Sequence, residues 1–159
     1  MQTNPVHSIK TTYDKALALA RQGDLSQAAG LLDGLALQAP TLPEIHYQRA
    51  RIAARLGDQD KRLSSIDRAV DLRPADPTLL TEAVAAHSAA ARHDTVLSLY
   101  DQLIALDPTA IKPQADKALY LQTAGQFDAS EKLLRKLQKK HPHEAELYRM
   151  LATTIRIQP

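Results

Sequence analysis

A dense group of basic side chains stands near the C-terminal end of the sequence. Five of them recur at the helical spacing i, i+3, i+4, i+7 and i+8 and share one helix face: Lys132, Arg135, Lys136, Lys139 and Lys140. Such a face can bind phosphate, an anionic membrane surface or an acidic protein, although exposed lysines most often only maintain solubility. No aromatic residue is interleaved to stack on bases, so specific nucleic-acid binding is not expected.

Histidine and serine are the other residue types that could bind a metal or take part in catalysis. His141 and His143 lie two residues apart, but without a cysteine and with only the adjacent Glu144 they make a poor metal site. The Ser64-Ser65 pair has no nearby base, and neither a phosphate-binding loop nor a nucleophile elbow occurs. We therefore expect no catalytic residue, no metal and no cofactor, which argues against an enzyme.

Composition narrows the remaining classes of protein. The 159 residues, 44% of them hydrophobic, suffice for one domain with a continuous core. The absence of cysteine excludes disulfides, Fe–S clusters and thiol catalysis, and a net charge of +2 is too small to indicate nucleic acid by itself. No basic start with a following apolar run and no stretch of 18 apolar residues occurs, so we expect a cytoplasmic protein without a membrane span.

A fixed spacing of prolines and turn residues along the sequence indicates where the helices that position these residues begin and end. Four prolines lie 34 residues apart: Pro40, Pro74, Pro108 and Pro142. A second column on the same grid marks the midpoints: Gly23, Gly57, Ala91 and Gly125. Apolar residues recur with helical period between these marks, which predicts nine helices and no strand. The predicted organisation is a flexible N-terminus at 1–8, four helix pairs at 9–42, 43–76, 77–110 and 111–144, and a last helix at 145–159.

Small residues stand where paired helices must approach closely. Ala16, Ala50 and Ala118 occupy one repeat position in the first helices, and Ala28 and Ser130 occupy one in the second helices. Large apolar residues recur at another position: Leu32, Ile66, Tyr100 and Leu134. This arrangement resembles the tetratricopeptide repeat over residues 9–157. The resemblance implies an all-α solenoid of four helix-turn-helix repeats, with 145–159 as a C-terminal capping helix or the start of a fifth repeat.

The sequence departs from the repeat pattern at a few positions. Arg62 replaces a small residue of the second repeat, Val84 and Val96 replace those of the third, and Ala91 stands where glycine would ease the turn. Because arginine can lay its methylene groups over apolar neighbours, we expect Arg62 to carry its charge outward and widen the helix angle without breaking the repeat.

The resemblance also implies a binding surface, because tetratricopeptide repeats bind peptides in a concave groove lined by their first helices. The residues carried over to that groove are Tyr13, Leu17, Arg21, Tyr47, Arg51, Arg55, Ser88 and Gln122. The tyrosines and arginines of the first two repeats suit an acidic peptide with an apolar anchor. Repeats that bind chaperone C-termini resemble one another in a clamp of Lys, Asn and Arg. That clamp is missing here, since Tyr13, Leu17, Gln48, Thr78 and Glu82 occupy its positions.

The leading hypothesis is therefore a bacterial, non-enzymatic scaffold that binds a protein or peptide partner in this groove. An alternative comes from the segments PEIHYQRARIA and LYDQLIALDP, which resemble the N-terminal repeat module of bacterial sulfotransferase proteins. In that case catalysis would lie beyond Pro159. A second alternative is an adaptor that meets nucleic acid or an anionic membrane through the basic helix face.

Overall fold

The computed structural model describes residues 5–157, with side chains from residue 7 onwards. Within this range the protein is all-α, as predicted, with nine helices and no strand. The helices are α1 (Pro5–Gln22), α2 (Leu25–Gln38), α3 (Pro43–Leu56), α4 (Gln59–Leu72), α5 (Pro77–Ala89), α6 (His93–Leu106), α7 (Ile111–Thr123), α8 (Phe127–Lys140) and α9 (Ala145–Ile157).

The segment 1–8, predicted to be a flexible N-terminus, is partly helical. Helix α1 begins at Pro5, so residues 5–8 are helical, whereas residues 1–4 lie outside the described range. Proline suits the first position of a helix because its φ is already helical and its missing N–H has no partner to lose there. Our prediction started the first helix at residue 9, where the 34-residue repeat begins, and overlooked Pro5 as a helix start.

The turns between paired helices lie at the predicted positions. Gly23, Gly57 and Gly125 have φ of 92°, 76° and 74°, and Ala91 has φ of 53°. This left-handed conformation at a helix C-terminus satisfies the last carbonyl groups, and glycine adopts it without steric cost. Ala91 adopts it with its Cβ in place, at a cost of about 1–2 kcal/mol.

The chain divides into two compact units, unit 1 (Met1–Arg92) and unit 2 (His93–Pro159). Unit 1 contains α1 to α5, and unit 2 contains α6 to α9. The boundary follows the turn at Ala91 and therefore falls inside the third predicted interval, 77–110.

The core of unit 1 begins with small residues that let helices pack closely. Ala16 in α1 and Ala28 in α2 are fully buried, together with Leu32. Ile45 and Ile52 extend this cluster into α3. Because the distance between helix axes is set by the side chains at the contact, two alanines allow a close approach. The predicted small and large positions of the first repeat are thus core positions.

The second repeat stays intact around Arg62. Ala50 and Ile66 are buried, and the half-buried Arg62 lines a cavity of about 20 Å³ with both of them. Its side chain therefore lies along apolar neighbours, as the sequence predicts. The expected change in helix angle stays a prediction.

Unit 2 repeats the close packing with a polar contact added. Ala118 and Ser130 are fully buried, and the Ser130 hydroxyl donates a 2.8 Å hydrogen bond to the Ala118 carbonyl. Leu134, Leu137 and Leu147 surround this contact. The hydrogen bond joins α7 to α8 and satisfies the buried hydroxyl of Ser130.

Two second helices of unit 1 start with an aspartate cap. The backbone N–H of Gln27 donates to the Asp24 carboxylate at 3.1 Å, and that of Lys61 donates to Asp58 at 3.0 Å. At the same repeat position before α8, Gln126 makes no side-chain cap hydrogen bond. Helix α8 therefore begins without the side-chain cap that α2 and α4 have.

Three of the four inter-repeat loops share a hydrogen bond that sequence reasoning missed. The carbonyls of Pro40 and Pro108 accept hydrogen bonds from His46 Nε2 at 2.9 Å and Gln114 Nε2 at 3.2 Å. The Tyr148 hydroxyl donates to the Pro142 carbonyl at 3.2 Å. Each donor lies six residues after its proline, so the 34-residue grid contained the signal although the residue types differ.

Replacing Ala91 with glycine should stabilise the protein by about 1 kcal/mol, because relief of the left-handed strain exceeds the added freedom of the unfolded chain. The melting temperature should rise by about 2–4 °C. Gly57→Ala should lower it, whereas Gly34→Ala, in the middle of α2 with open space around the new Cβ, should raise it slightly. Calorimetry measures all three, and a lower melting temperature for Ala91→Gly would contradict the strain argument.

Ala118→Trp should destabilise the protein by about 1–3 kcal/mol or more, because a large ring cannot enter the contact between α7 and α8 without strain. Ala129→Trp is the matched control, since Ala129 lies exposed beside Ser130 in α8. It should cost about 0.5 kcal/mol through helix propensity alone. Urea denaturation compares the two variants, and equal effects would show that the crossing has room to spare.

Candidate functional site

A cleft in unit 1 lies between α1 and α3 and has a volume of about 270 Å³. We call it the arginine cleft, and its lining residues are Leu17, Ala20, Arg21, Gln48, Arg51, Ile52 and Arg55. The contributions of each helix recur at helical spacing, which brings them onto the facing sides of α1 and α3. Four of the eight predicted groove residues thereby meet in one place.

The three guanidinium groups of the cleft are held by the protein itself. Arg55 Nη1 donates to the Ala20 carbonyl at 2.9 Å, near the C-terminal end of α1, where a cation is favourable. Arg21 Nε donates to the Leu17 carbonyl at 3.3 Å. The guanidinium of Arg51 lies 5.7 Å from the centre of the Tyr47 ring, within cation–π range. Each arginine keeps further N–H donors for a ligand.

The positive charge of the cleft is not balanced inside it, because none of its described lining residues is acidic. Glu82 lines the small neighbouring cavity with Arg51, while two other carboxylates bind basic residues outside the cleft. Asp33 accepts hydrogen bonds from Arg49 Nε and Lys61 Nζ, both at 2.9 Å, and Glu44 pairs with Arg73 at 2.5 Å. The cleft therefore presents an apolar floor with a cationic rim.

The two predicted tyrosines lie beside the cleft rather than in it. Burial raises the pKa of the Tyr13 hydroxyl, with the charges of Glu44 and Asp14 adding to the shift and a hydrogen bond with Gln48 opposing it. Tyr47 is partly buried and lines a separate small cavity with Ala50 and Ile66. Both tyrosines thus support residues of the cleft, Gln48 in one case and Arg51 in the other.

The last two predicted groove residues do not join the cleft. Ser88 is partly buried in α5 and is absent from the lining. Gln122 belongs to unit 2, where it is only 8% exposed and donates a 2.6 Å hydrogen bond from Nε2 to Thr154 Oγ1. Its assignment to an exposed groove is wrong, because α9 covers the amide and takes up its hydrogen bond.

Three lining residues were absent from the predicted site: Ala20, Gln48 and Ile52. Gln48 lies three residues before Arg51 and seven before Arg55, so helical spacing could have added it. Ile52 and Ala20 are buried residues that form the floor, and their pattern is the same as that of core positions. Only the packing of α1 against α3 distinguishes them.

Solved structures were compared with this fold. A tetratricopeptide repeat protein from Parabacteroides merdae matches with a TM-score of 0.72 at 17% identity over 92% of this chain, which spans 57% of that protein. MamA from Desulfovibrio magneticus RS-1 matches with a TM-score of 0.71 at 19% identity over 92% of this chain and 82% of its own.

The first TPR of Spaghetti (RPAP3), bound to the HSP90 peptide SRMEEVD, gives a TM-score of 0.64 at 18% identity over 74% of this chain and 93% of its own. The chain has the tetratricopeptide-repeat fold. No family model matches the sequence, and comparison with curated proteins finds no match. The resemblance to sulfotransferase modules stays a prediction.

The basic face of this tetratricopeptide-repeat chain lies on α8, as predicted. All five side chains are exposed, while Leu134 and Leu137 are buried on the opposite side. Arg135 Nε donates to Glu131 at 2.8 Å. The remaining four positions are lysines, which place a continuous row of ammonium groups in solvent.

The described residues contain neither a cluster of metal ligands nor a membrane-spanning helix. No three side chains among His, Asp and Glu converge as metal ligands in residues 5–157. In the same range, every helix is too short or too polar to cross a lipid bilayer.

Asp33→Asn should destabilise the protein at pH 7 by less than about 1 kcal/mol, since the carboxylate that joins α2 to α3 and α4 is partly exposed. Burial by itself would raise the pKa of Asp33, but Lys61 and Arg49 outweigh it and hold the pKa below its usual value. A lowered pKa gives stability above the unfolded value, about 3.9, that is lost as pH falls through the folded value. Thermal melts of both proteins should therefore differ at pH 7 and converge towards pH 3; a constant difference would contradict this.

Proposed function

We propose that this chain is a protein-interaction scaffold whose arginine cleft binds an acidic peptide segment with one apolar anchor side chain. The observation that carries the proposal is the set of three guanidinium groups around the apolar floor of Ala20 and Ile52, with no carboxylate in the lining. Arginine binds carboxylates through paired N–H groups, and the apolar floor favours a buried hydrocarbon side chain. The proposal assigns binding and no reaction.

The size of the cleft supports a side chain rather than a whole small molecule. Its volume of about 270 Å³ lies just under the range of about 300–1,000 Å³ of small-molecule pockets. One anchor side chain fits such a space, while neighbouring carboxylates of an extended peptide can reach the rim. The hydrogen bonds of Arg21 and Arg55 to α1 hold these side chains in advance, which reduces the entropy lost on binding.

A neighbour in fold supports the choice of an acidic peptide. RPAP3 is bound to SRMEEVD, a peptide with three acidic residues. In the present chain, the positions of the chaperone clamp are occupied by Tyr13, Leu17, Gln48, Thr78 and Glu82, and the positive charge of the cleft comes from other positions. We therefore propose a different acidic peptide, whose carboxylates are spaced to pair with Arg21, Arg51 and Arg55.

Peptides selected from a random library on the intact protein should be enriched in Asp and Glu around one apolar residue. The double change Tyr47→Ala, Arg51→Ala should weaken binding of a selected peptide by tenfold to several hundredfold, or about 2–4 kcal/mol, because it removes a charge-assisted contact and its aromatic support. Fluorescence anisotropy with the labelled peptide measures the dissociation constant.

The matched control is Lys136→Ala, Lys139→Ala, which removes two exposed charges from the basic face of α8 and should leave binding unchanged. Selected peptides without acidic enrichment would overturn the proposal. Binding that ignores the Arg51 change, fails in the lysine variant and weakens steeply with salt would favour the adaptor hypothesis instead.

A further inference from the structure

The outward face of α9 exposes large apolar side chains. Tyr148 and Ile155 are 50% and 47% exposed, and Ala152 between them is also exposed. The adjacent face, about 100° around the helix, packs on unit 2 through Leu147, which is 1% exposed. Contiguous apolar surface of this kind marks an interaction site.

The same repeat positions are buried in complete repeats. Thirty-four residues before Tyr148, Ala152 and Ile155 stand Gln114, Ala118 and Leu121, which are 7%, 0% and 5% exposed. In the second repeat the equivalent residues are His46, Ala50 and Ala53, at 5%, 5% and 1%. The antiparallel second helix covers these positions, as the Ser130–Ala118 hydrogen bond between α8 and α7 shows. The exposed face of α9 therefore corresponds to the surface that an antiparallel helix covers in the complete repeats.

We propose that this face binds α9 of a second copy of the chain, antiparallel about a two-fold axis near Ala152. Tyr148 and Ile155 lie four residues before and three after Ala152, so an antiparallel arrangement sets the Tyr148 of each copy against the Ile155 of the other. Ala152 then meets its own copy at the crossing, where small residues allow close approach, as Ala118 and Ser130 do within unit 2. The face is thus complementary to itself, as a two-fold interface requires.

The charges along α9 favour the antiparallel direction. Glu144 stands immediately before the helix, whereas Arg156 lies in its last turn. Neither has an ion-pair partner among the described residues, since Glu146 is the carboxylate that pairs with Arg149. Antiparallel packing brings the Arg156 of each copy within one turn of Glu144 of the other and sets opposite ends of the helix dipoles side by side. A parallel pair would place like charges together.

Analytical ultracentrifugation of the full chain over about 5 µM to 1 mM tests this proposal. One helix from each copy buries less than the standard interface of about 1,600 Å², so we expect a reversible dimer with a dissociation constant on the order of 10–100 µM. The average mass should rise from 17.5 kDa towards about twice that value. A mass that stays at the monomer value up to 1 mM would overturn the proposal.

Tyr148→Glu and Ile155→Glu should each weaken association at least tenfold while leaving the circular dichroism spectrum unchanged, because both side chains are half exposed. Leu37→Glu is the control, since Leu37 is 86% exposed on α2 and lies in unit 1. Association that responds to Leu37→Glu and ignores Ile155→Glu would place the interface elsewhere and overturn the proposal.

The helix direction is tested by charge exchange. Glu144→Arg and Arg156→Glu should each weaken dimerisation about threefold to tenfold, because each places like charges at both ends of the pair. The double variant should restore the wild-type dissociation constant. A double variant as weak as the single variants would overturn the antiparallel arrangement.

Discussion

The close approach of the two helices within a repeat is the contact on which the other features depend. In the first and last repeats a small side chain stands on each helix at this contact, Ala16 with Ala28 and Ala118 with Ser130, all fully buried. Large residues one turn further along, Leu32 and the leucines of α8, then fill the space beside the crossing. Because this contact holds the second helix on the back of the first, the other side of α1 and α3 stays open and forms the arginine cleft.

Two neighbouring arginines of α3 show how the same side chain serves packing or binding. Arg49 pairs with Asp33, and this carboxylate also binds Lys61, so α2, α3 and α4 share one charged contact. Arg51, two residues later, projects from another side of the helix and contacts the Tyr47 ring. A rotation of about 200° along the helix thus separates an arginine that pairs with a carboxylate from one that contacts an aromatic ring. Charge counts along the chain conceal this difference.

Helix content, turn positions and small core positions followed from the sequence, because a 34-residue spacing repeats the same local chemistry at fixed places. Contacts between non-equivalent residues did not follow. Gln122 has the helical phase of a groove residue, yet Thr154, 32 positions away, binds its amide. The cleft floor of Ala20 and Ile52 was missed for a related reason: apolar residues on a helix give the same pattern under a core as under a cleft. The boundary between the units after Arg92 has no distinct residue signal beyond Ala91.

The aspartate caps of α2 and α4 have a consequence for local motion. Asp58 satisfies a backbone N–H in the first turn of α4, whereas Gln126 makes no side-chain cap hydrogen bond at the start of α8. A cap typically stabilises the first turn by about 1 kcal/mol, so its absence makes transient fraying there about five times more frequent. Deuterium should therefore exchange into the first-turn amides of α8 sooner than into those of α4. The first turn of the basic helix thus opens transiently more often.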